Sequence, residues 1–340
     1  MKLRRIIAAA LMLAAVSPGL RASPAAPPER ELVIYAYDSF VSEWGPGPEV
    51  IPKFEALTGA KVKMLSAGDA GQALARVILE KAAPQADMVL GIDNNLLARA
   101  LEEKVLQPYE SPNLKSVPPE LRFDPTHSVT PFDYGYFAVV YDSRAVSQPP
   151  ADLEDLASPR FRGKLILEDP RTSSPGLGFL LWTIAVYGKD WPAYWQRLRP
   201  NILTVTDGWD AAYGMFTSGE APLVLSYTTS PAYHLENEKT ERYRAAIFRE
   251  GNYLQIEGIG ILRGARHAAL ARKFIDFVLS EAFQQEIPLT NWMYPVLPSV
   301  RLPDSYRLAP EPQVTLSLKA EEIRRQQEAW LREWAVLMGR

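Results

Sequence analysis

The chain contains no cysteine. That absence removes the thiolate nucleophile, the thiolate-ligated zinc site and the cysteine-ligated iron–sulfur cluster from consideration, and it leaves core burial rather than disulfides as the source of stability. Histidine is scarce: His127, His234 and His267 lie far apart, and none is linked by a motif to a serine and an acid. No G-x-S-x-G elbow is present, so serine hydrolysis has no support either. Neither charge dominates, with 37 Lys and Arg against 40 Asp and Glu and a formal net charge of −3. The basic residues are scattered rather than bunched, which gives no footing to a nucleic-acid or membrane-surface role.

The apolar run Ile6 to Val16 is too short for the roughly 20 residues that span a bilayer. Lys2, Arg4 and Arg5 precede it and SPGLRASPAAPP follows, the three parts of a secretory signal peptide over residues 1–22, with cleavage expected after Ala22 or Ala25. No cysteine is available for a lipid anchor. Roughly 315 residues then remain, beyond the size at which one core keeps growing, so about two domains are expected.

From Leu32 onward, short β-rich runs alternate with helical stretches. Strands are predicted at Glu31 to Tyr37, Lys61 to Leu65 and Asp87 to Gly91, with helices near Glu49 to Leu57, Ala70 to Lys81 and Asn95 to Glu103. The Pro- and Ser-rich block Pro108 to Pro125 reads as a surface connection. Ser128 to Asp142 is β-branched, aromatic and long enough to pass between lobes. A second α/β unit follows, with strands at Lys164 to Glu168, Ile202 to Thr206 and Pro222 to Ser226. Its helices fall near Gly176 to Tyr187, Trp191 to Leu198, Trp209 to Ser218 and Thr229 to Glu236. Asn252 to Leu262 is a long strand able to return the chain to the first lobe. Ala265 to Leu279 and Lys319 to Leu337 carry apolar residues at helical spacing.

This order predicts an α/β protein of two lobes, each a mostly parallel sheet covered by helices. The first lobe is assigned residues 30–128 and about 255–290, the second 129–254 and about 291–340. Ligands on such sheets sit beyond the carboxyl ends of the strands. Two crossing strands make a hinged clamp.

The stretches YDSFVSEWGPGP, ADMVLGIDNNLL, TPFDYGYFAVVYD, EDPRTSSPGLGFLLW, LVLSYTTSPAYH and NWMYPV, in this order along nearly the whole mature chain, resemble the periplasmic thiamine-binding proteins of ABC importers. The resemblance implies a periplasmic-binding-protein-like type II fold and a monomeric receptor for thiamine, and with it thiamine mono- and diphosphate. It implies delivery to an importer permease in the membrane, no cofactor and no catalysis. Thiamine joins a permanently cationic thiazolium to a flat aminopyrimidine and a hydroxyethyl arm that carries the phosphates.

The resemblance places Tyr37, Trp44 and Trp209 on the ligand, where aromatic faces stack on flat or cationic rings. It makes Asp69 the ligand carboxylate, although as the N-cap of the helix from Ala70 this residue would look the same. Ala70 stands where relatives have glycine. Ser173 and Ser174 are assigned to the arm or phosphate end, at a helix start where backbone N–H groups favour anions. Tyr227, Thr228, Thr229, Ser230 and Tyr233 complete the expected contacts. Asp93, Asn94 and Asn95 suit a cleft or a turn equally; Trp292 and Tyr294 suit ligand, hinge or core; and Arg171 suits a phosphate or a pair with Asp169.

Two other receptor chemistries share the fold. A ferric-ion receptor favours paired tyrosines with His or carboxylate ligands, whereas SYTTS offers one tyrosine followed by hydroxyls. Polyamine receptors use several acids and aromatic walls, whereas this sequence offers the single carboxylate Asp69 and a hydroxyl-rich start at Thr172 to Ser174, for which a polyamine has no group. The thiamine-degrading enzymes of this two-lobed type use a cysteine, which is absent.

Overall fold

The computed structural model describes residues 31–340, so the signal segment and its cleavage sites lie outside the described residues. The first unit runs β1 (Glu31–Ala36), α1 (Asp38–Val41), α2 (Gly47–Thr58), β2 (Lys61–Ser66), α3 (Ala70–Leu79), β3 (Met88–Asp93), α4 (Leu97–Glu102) and β4 (Leu106–Gln107). The long strand β5 (Val129–Asp142) leads to α5 (Leu153–Leu156), β6 (Leu165–Glu168), α6 (Ser174–Tyr187), α7 (Trp191–Leu198), β7 (Ile202–Thr206), α8 (Trp209–Thr217), β8 (Leu223–Tyr227), α9 (Ser230–Glu238) and β9 (Tyr243–Ala246). The second long strand, β10 (Asn252–Leu262), precedes α10 (Ala268–Val278), α11 (Glu281–Gln284), β11 (Tyr294–Pro295), β12 (Thr315–Leu316) and α12 (Ala320–Met338).

The strands join in the order β2-β1-β3-β10-β5-β8-β6-β7. Parallel pairs β1–β2, β1–β3, β6–β7 and β6–β8 form the two ends, each from βα units, and the antiparallel strands β5 and β10 link them. β5 serves both sides. Its first half, Val129 to Tyr136, pairs with β10, and its second half, Phe137 to Tyr141, pairs with β8. This is the two-lobed α/β architecture, with both lobes hung on shared strands.

The register slips where the two long strands meet. Pairing of β10 with β5 shifts between Glu257 and Gly258, and pairing with β3 shifts one residue later. Pro131, opposite Gly258, has no N–H to donate, which suits a bulge and not a regular ladder. A Cβ on Gly258 would lie 2.3 Å from Val129 Cγ1 and 2.9 Å from the Thr130 carbonyl, so only glycine admits this approach. Because side chains two apart share a face, the buried Gln255 lies on the same face of β10 as Glu257, which lines the cleft.

Local signals set most helix ends. Asp69 and Gln72 form a capping box at α3, and Ser173 caps α6, with Pro175 in its first turn. α4 starts at Leu97 rather than at Asn95 because Asp93 Oδ1 first accepts from the backbone N–H of Asn95 and Leu96, closing a turn. Tyr37 and Tyr227 also move by a step: Tyr37 lies just beyond β1, and Tyr227 is the last residue of β8. Phe40, Phe132 and Phe283 meet in the core of the first lobe, Phe179, Trp182 and Trp195 in that of the second. The C-terminal helix, placed by sequence with the second lobe, packs on both: α12 contacts α4 and α7, and its Trp334 ring lies edge-on to Trp195 at 5.8 Å. Among the described residues no helix is long and apolar enough to cross a membrane.

Candidate functional site

The strand ends and helix starts of both lobes converge on one cavity of about 600 Å³. Its first-lobe wall begins with Tyr37. The hydroxyl donates to Glu257 Oε2 at 3.0 Å and accepts from Asn291 Nδ2 at 3.0 Å, while the ring stands edge-on to Phe40. Trp44 follows in the Gly/Pro turn between α1 and α2, where 49% of its surface stays exposed. Its ring centre lies 6.4 Å from that of Trp209, the first residue of α8 on the opposite lobe. Trp209 in turn stacks on Tyr213 at 4.8 Å and donates its indole N–H to Ser226 Oγ.

Asp69 reaches across the cleft. Its carboxylate caps α3 through the Ala70 N–H at 2.6 Å, and it also accepts from the N–H groups of Trp209 at 3.1 Å and Ser174 at 3.4 Å in the other lobe. The positive ends of α6 and α8 thus meet a carboxylate from the chain itself. Burial raises the Asp69 pKa, against hydrogen bonds from Trp209, Ser173, Ala70 and Ser174 that hold it down. The lobes touch here, since a Cβ on Gly71 would stand 2.5 Å from the Thr172 carbonyl.

The second-lobe wall carries Ser174, Tyr227, Ser230 and Tyr233. Tyr227 packs on Phe137 and donates its hydroxyl to Gln255 Oε1 at 2.7 Å. Ser230 Oγ bonds Ser226 Oγ, and Tyr233 meets Trp292 edge-on at 5.3 Å. Tyr37, Trp44, Asp69, Ser174, Trp209, Tyr227, Ser230 and Tyr233 therefore line one cavity. Ala70, Ser173, Thr228 and Thr229 do not line it. All four are buried: Ala70 lies in the first turn of α3, Ser173 turns its hydroxyl to the Gly176 N–H, and Thr228 and Thr229 sit between β8 and α9. Arg171 forms a two-pronged pair with the buried Asp169.

Trp292, left open between ligand, hinge and core, lines the cavity, as do Asp210, Glu257 and Asn291, which were not singled out from sequence. Glu257 is the one acid in NYLQIEGIGIL, two residues after Gln255, and that break in an apolar strand was a usable signal. Trp292 holds φ +56° after the π-turn Ile287–Asn291, a backbone region that non-glycine residues seldom occupy. Asp38, Asp207 and Glu238 add further carboxylates, and among the described residues no Lys, Arg or His lines the cavity. Burial, with Asp38 and Asp69 nearby, pushes Asp210 up to about 6. The wall is therefore aromatic and acidic, the combination that receives an organic cation.

The bacterial extracellular solute-binding protein family matches residues 83–322. The thiamine-binding periplasmic protein of Brucella abortus is 45% identical over 321 residues, covering 94% of this chain and 95% of the relative. The thiamine-binding periplasmic protein of Escherichia coli is 44% identical over 310 residues, covering 91% and 94%. A solved periplasmic thiamin binding protein superposes with a TM-score of 0.87 at 43% identity, over 91% of this chain and 96% of that one. The chain belongs to the bacterial extracellular solute-binding proteins, among the relatives named thiamine-binding periplasmic proteins.

Proposed function

We propose that this protein captures thiamine, with its mono- and diphosphate, in the periplasm and delivers it to the membrane permease of an ABC importer. The observation that carries the reading is the cavity wall: Tyr37, Trp44, Trp209, Tyr227, Tyr233 and Trp292 supply aromatic faces among carboxylates, with no basic residue lining the space. A flat permanent cation fits that wall. The similarity to thiamine-binding relatives over nearly the whole chain supports the same ligand. The hydroxyls of Ser174 and Ser230 suit the hydroxyethyl arm, and the amides at the starts of α6 and α8 donate to its phosphates once Asp69 yields them.

The protein works as a monomeric carrier without a cofactor, and it leaves its ligand chemically unchanged. β5 and β10 serve as the hinge, and ligand contacts to both lobes favour the closed form, in which the carrier docks on the permease. Closure follows from a difference in affinity between the two forms, not from affinity alone. Competitive calorimetry with thiamine, its two phosphates and spermidine tests the assignment: thiamine or a phosphate must bind most tightly. Tighter binding of spermidine moves the site to polyamines. Scattering must show compaction with thiamine, and mass spectrometry must recover thiamine intact.

A further inference from the structure

Beneath the walls, the cavity floor holds acids that have no cationic partner among the described residues. Asp133 on β5 and Glu257 on β10 are direct partners in the antiparallel pairing of the two crossing strands. Both are buried, and Glu257 opens on the cavity. Tyr37 donates to Glu257 Oε2, and Asn291 Nδ2 donates to Asp133 Oδ2. Asp133 Oδ1, fully buried, has no hydrogen-bond partner, and the Glu257 carboxyl lies within hydrogen-bonding reach of the Asp133 carboxyl. Two ionised carboxylates cannot bond each other. A proton kept by Glu257 and donated to Asp133 removes the orphan.

The surroundings reinforce this. Asp93 faces the pair from the end of β3, Gln255 from β10, Tyr37 from the end of β1, Tyr227 from β8, and Tyr306 from the C-terminal segment. Among the described residues no Lys, Arg or His comes within ion-pair distance of Asp93, Asp133 or Glu257. Burial raises both acids, Asp133 to about 7, and repulsion from Asp133 and Asp93 adds to the rise at Glu257. An uncompensated charge at this depth is strongly disfavoured. Asp69, by contrast, is already engaged by backbone N–H groups from both lobes.

We propose that the Asp133–Glu257 pair is the counter-ion for the thiazolium of the ligand, protonated in the free protein and ionised when the cation arrives, so that capture releases a proton to solvent. No bond to thiamine forms or breaks; one carboxyl O–H dissociates as the fixed positive charge takes the place of its proton. The inference rests on the thiamine reading and adds a consequence that reading does not contain. Affinity rises with pH while the pair still holds its proton, and a neutral ring of the same shape forfeits the pairing.

Calorimetry of the mature protein with thiamine near pH 6.5, in two buffers of different ionisation enthalpy, counts the protons. The expected result is release of about one proton per thiamine, with affinity climbing between about pH 5.5 and about 7.5. Deazathiamine, in which a neutral thiophene replaces the thiazolium, should bind more than about tenfold more weakly and release none. Glu257→Gln and, separately, Asp133→Asn should abolish the release, whereas Glu328→Gln, on the exposed face of α12, should leave it. Should a floor variant fail to fold, the count on the unaltered protein and the neutral ligand still decide. Thiamine binding without release, release that survives both floor variants, or equal release with deazathiamine overturns the inference and leaves the thiamine assignment standing. Absence of thiamine binding overturns both.

Discussion

On the cleft walls Asp69 accepts from amides of two lobes, whereas on the floor Asp133 meets another acid. The wall groups lie in turns and first helical turns, and their bonds across the cleft join elements of different lobes. The floor groups lie on or against strands that both lobes share. Their bonds span long stretches of chain: Tyr37 to Glu257 over 220 residues, Gln255 to Asp93 over 162 and Asn291 to Asp133 over 158. The difference teaches a division of labour. Walls supply aromatic faces and meet across the cleft, while the floor rests on the strands both lobes share and, in the proposal above, sets the charge that the cavity tolerates.

Acid–base titration of the floor is the strongest way to test that division. Burial pushes Asp93 up to about 6 from an ordinary 3.8, so the folded form keeps a proton that the unfolded chain has already lost. Its stabilising share is complete below the unfolded pKa and is lost as pH rises through the folded one, on the order of 3 kcal/mol in all. Urea titrations at about pH 4 and about pH 8 should show the stability advantage of the parent over Asp93→Asn shrinking by most of that amount, about 2 kcal/mol. A constant difference would mean that desolvation does not control the floor. His234, whose pKa burial lowers, contributes in the opposite sense but is common to both proteins and cancels.

The walls should answer to ligand rather than to pH. Trp209→Ala removes a stacked, partly buried indole and should weaken thiamine binding by about 2 kcal/mol, roughly 30-fold, in calorimetry. An unchanged Kd would take Trp209 out of the site. Asp69→Ala should cost about 1–2 kcal/mol of unfolding free energy through the lost cap of α3. It should also enlarge the radius of gyration of the free protein, because the α6 and α8 amides lose their partner across the cleft. Unchanged scattering would deny Asp69 a part in closure. Trp44→Ala should have the smallest effect, about 1 kcal/mol or roughly fivefold in Kd, because half of that ring already faces water. If Trp44 matters more than Trp209, the two walls exchange rank.

The same division explains what could be read from the chain. Strands at Lys61, Lys164 and Ile202 begin within a residue of where alternation and β-branched runs place them, and α3 starts where Asp69 caps it. Short edge strands such as Tyr243–Ala246 and Thr315–Leu316 escaped, because their few residues carry no period and exist only by pairing with β5 and β10. The wall residues Tyr37, Trp44, Ser174 and Trp209 stood at βα turns, where a parallel sheet presents its ligand side. Glu257 stood in mid-strand. Nothing local distinguishes a strand acid that faces solvent from one pressed against another carboxyl.

By itself, the sequence determined the α/β alternation, the two crossing strands, the absence of thiol chemistry and the likeness to thiamine-binding receptors, since each depends on residue types at short spacing. Only the tertiary structure decided which carboxylates the cavity holds ready. Asp69, the acid expected for the cation, is drawn into the helix starts of the facing lobe, while on the floor Asp133 Oδ1, on the strand position paired with Glu257, is left without a donor. The physical reason is that the charge of an acid depends on the neighbours and the water left to it, and here strand pairing and lobe contact set both.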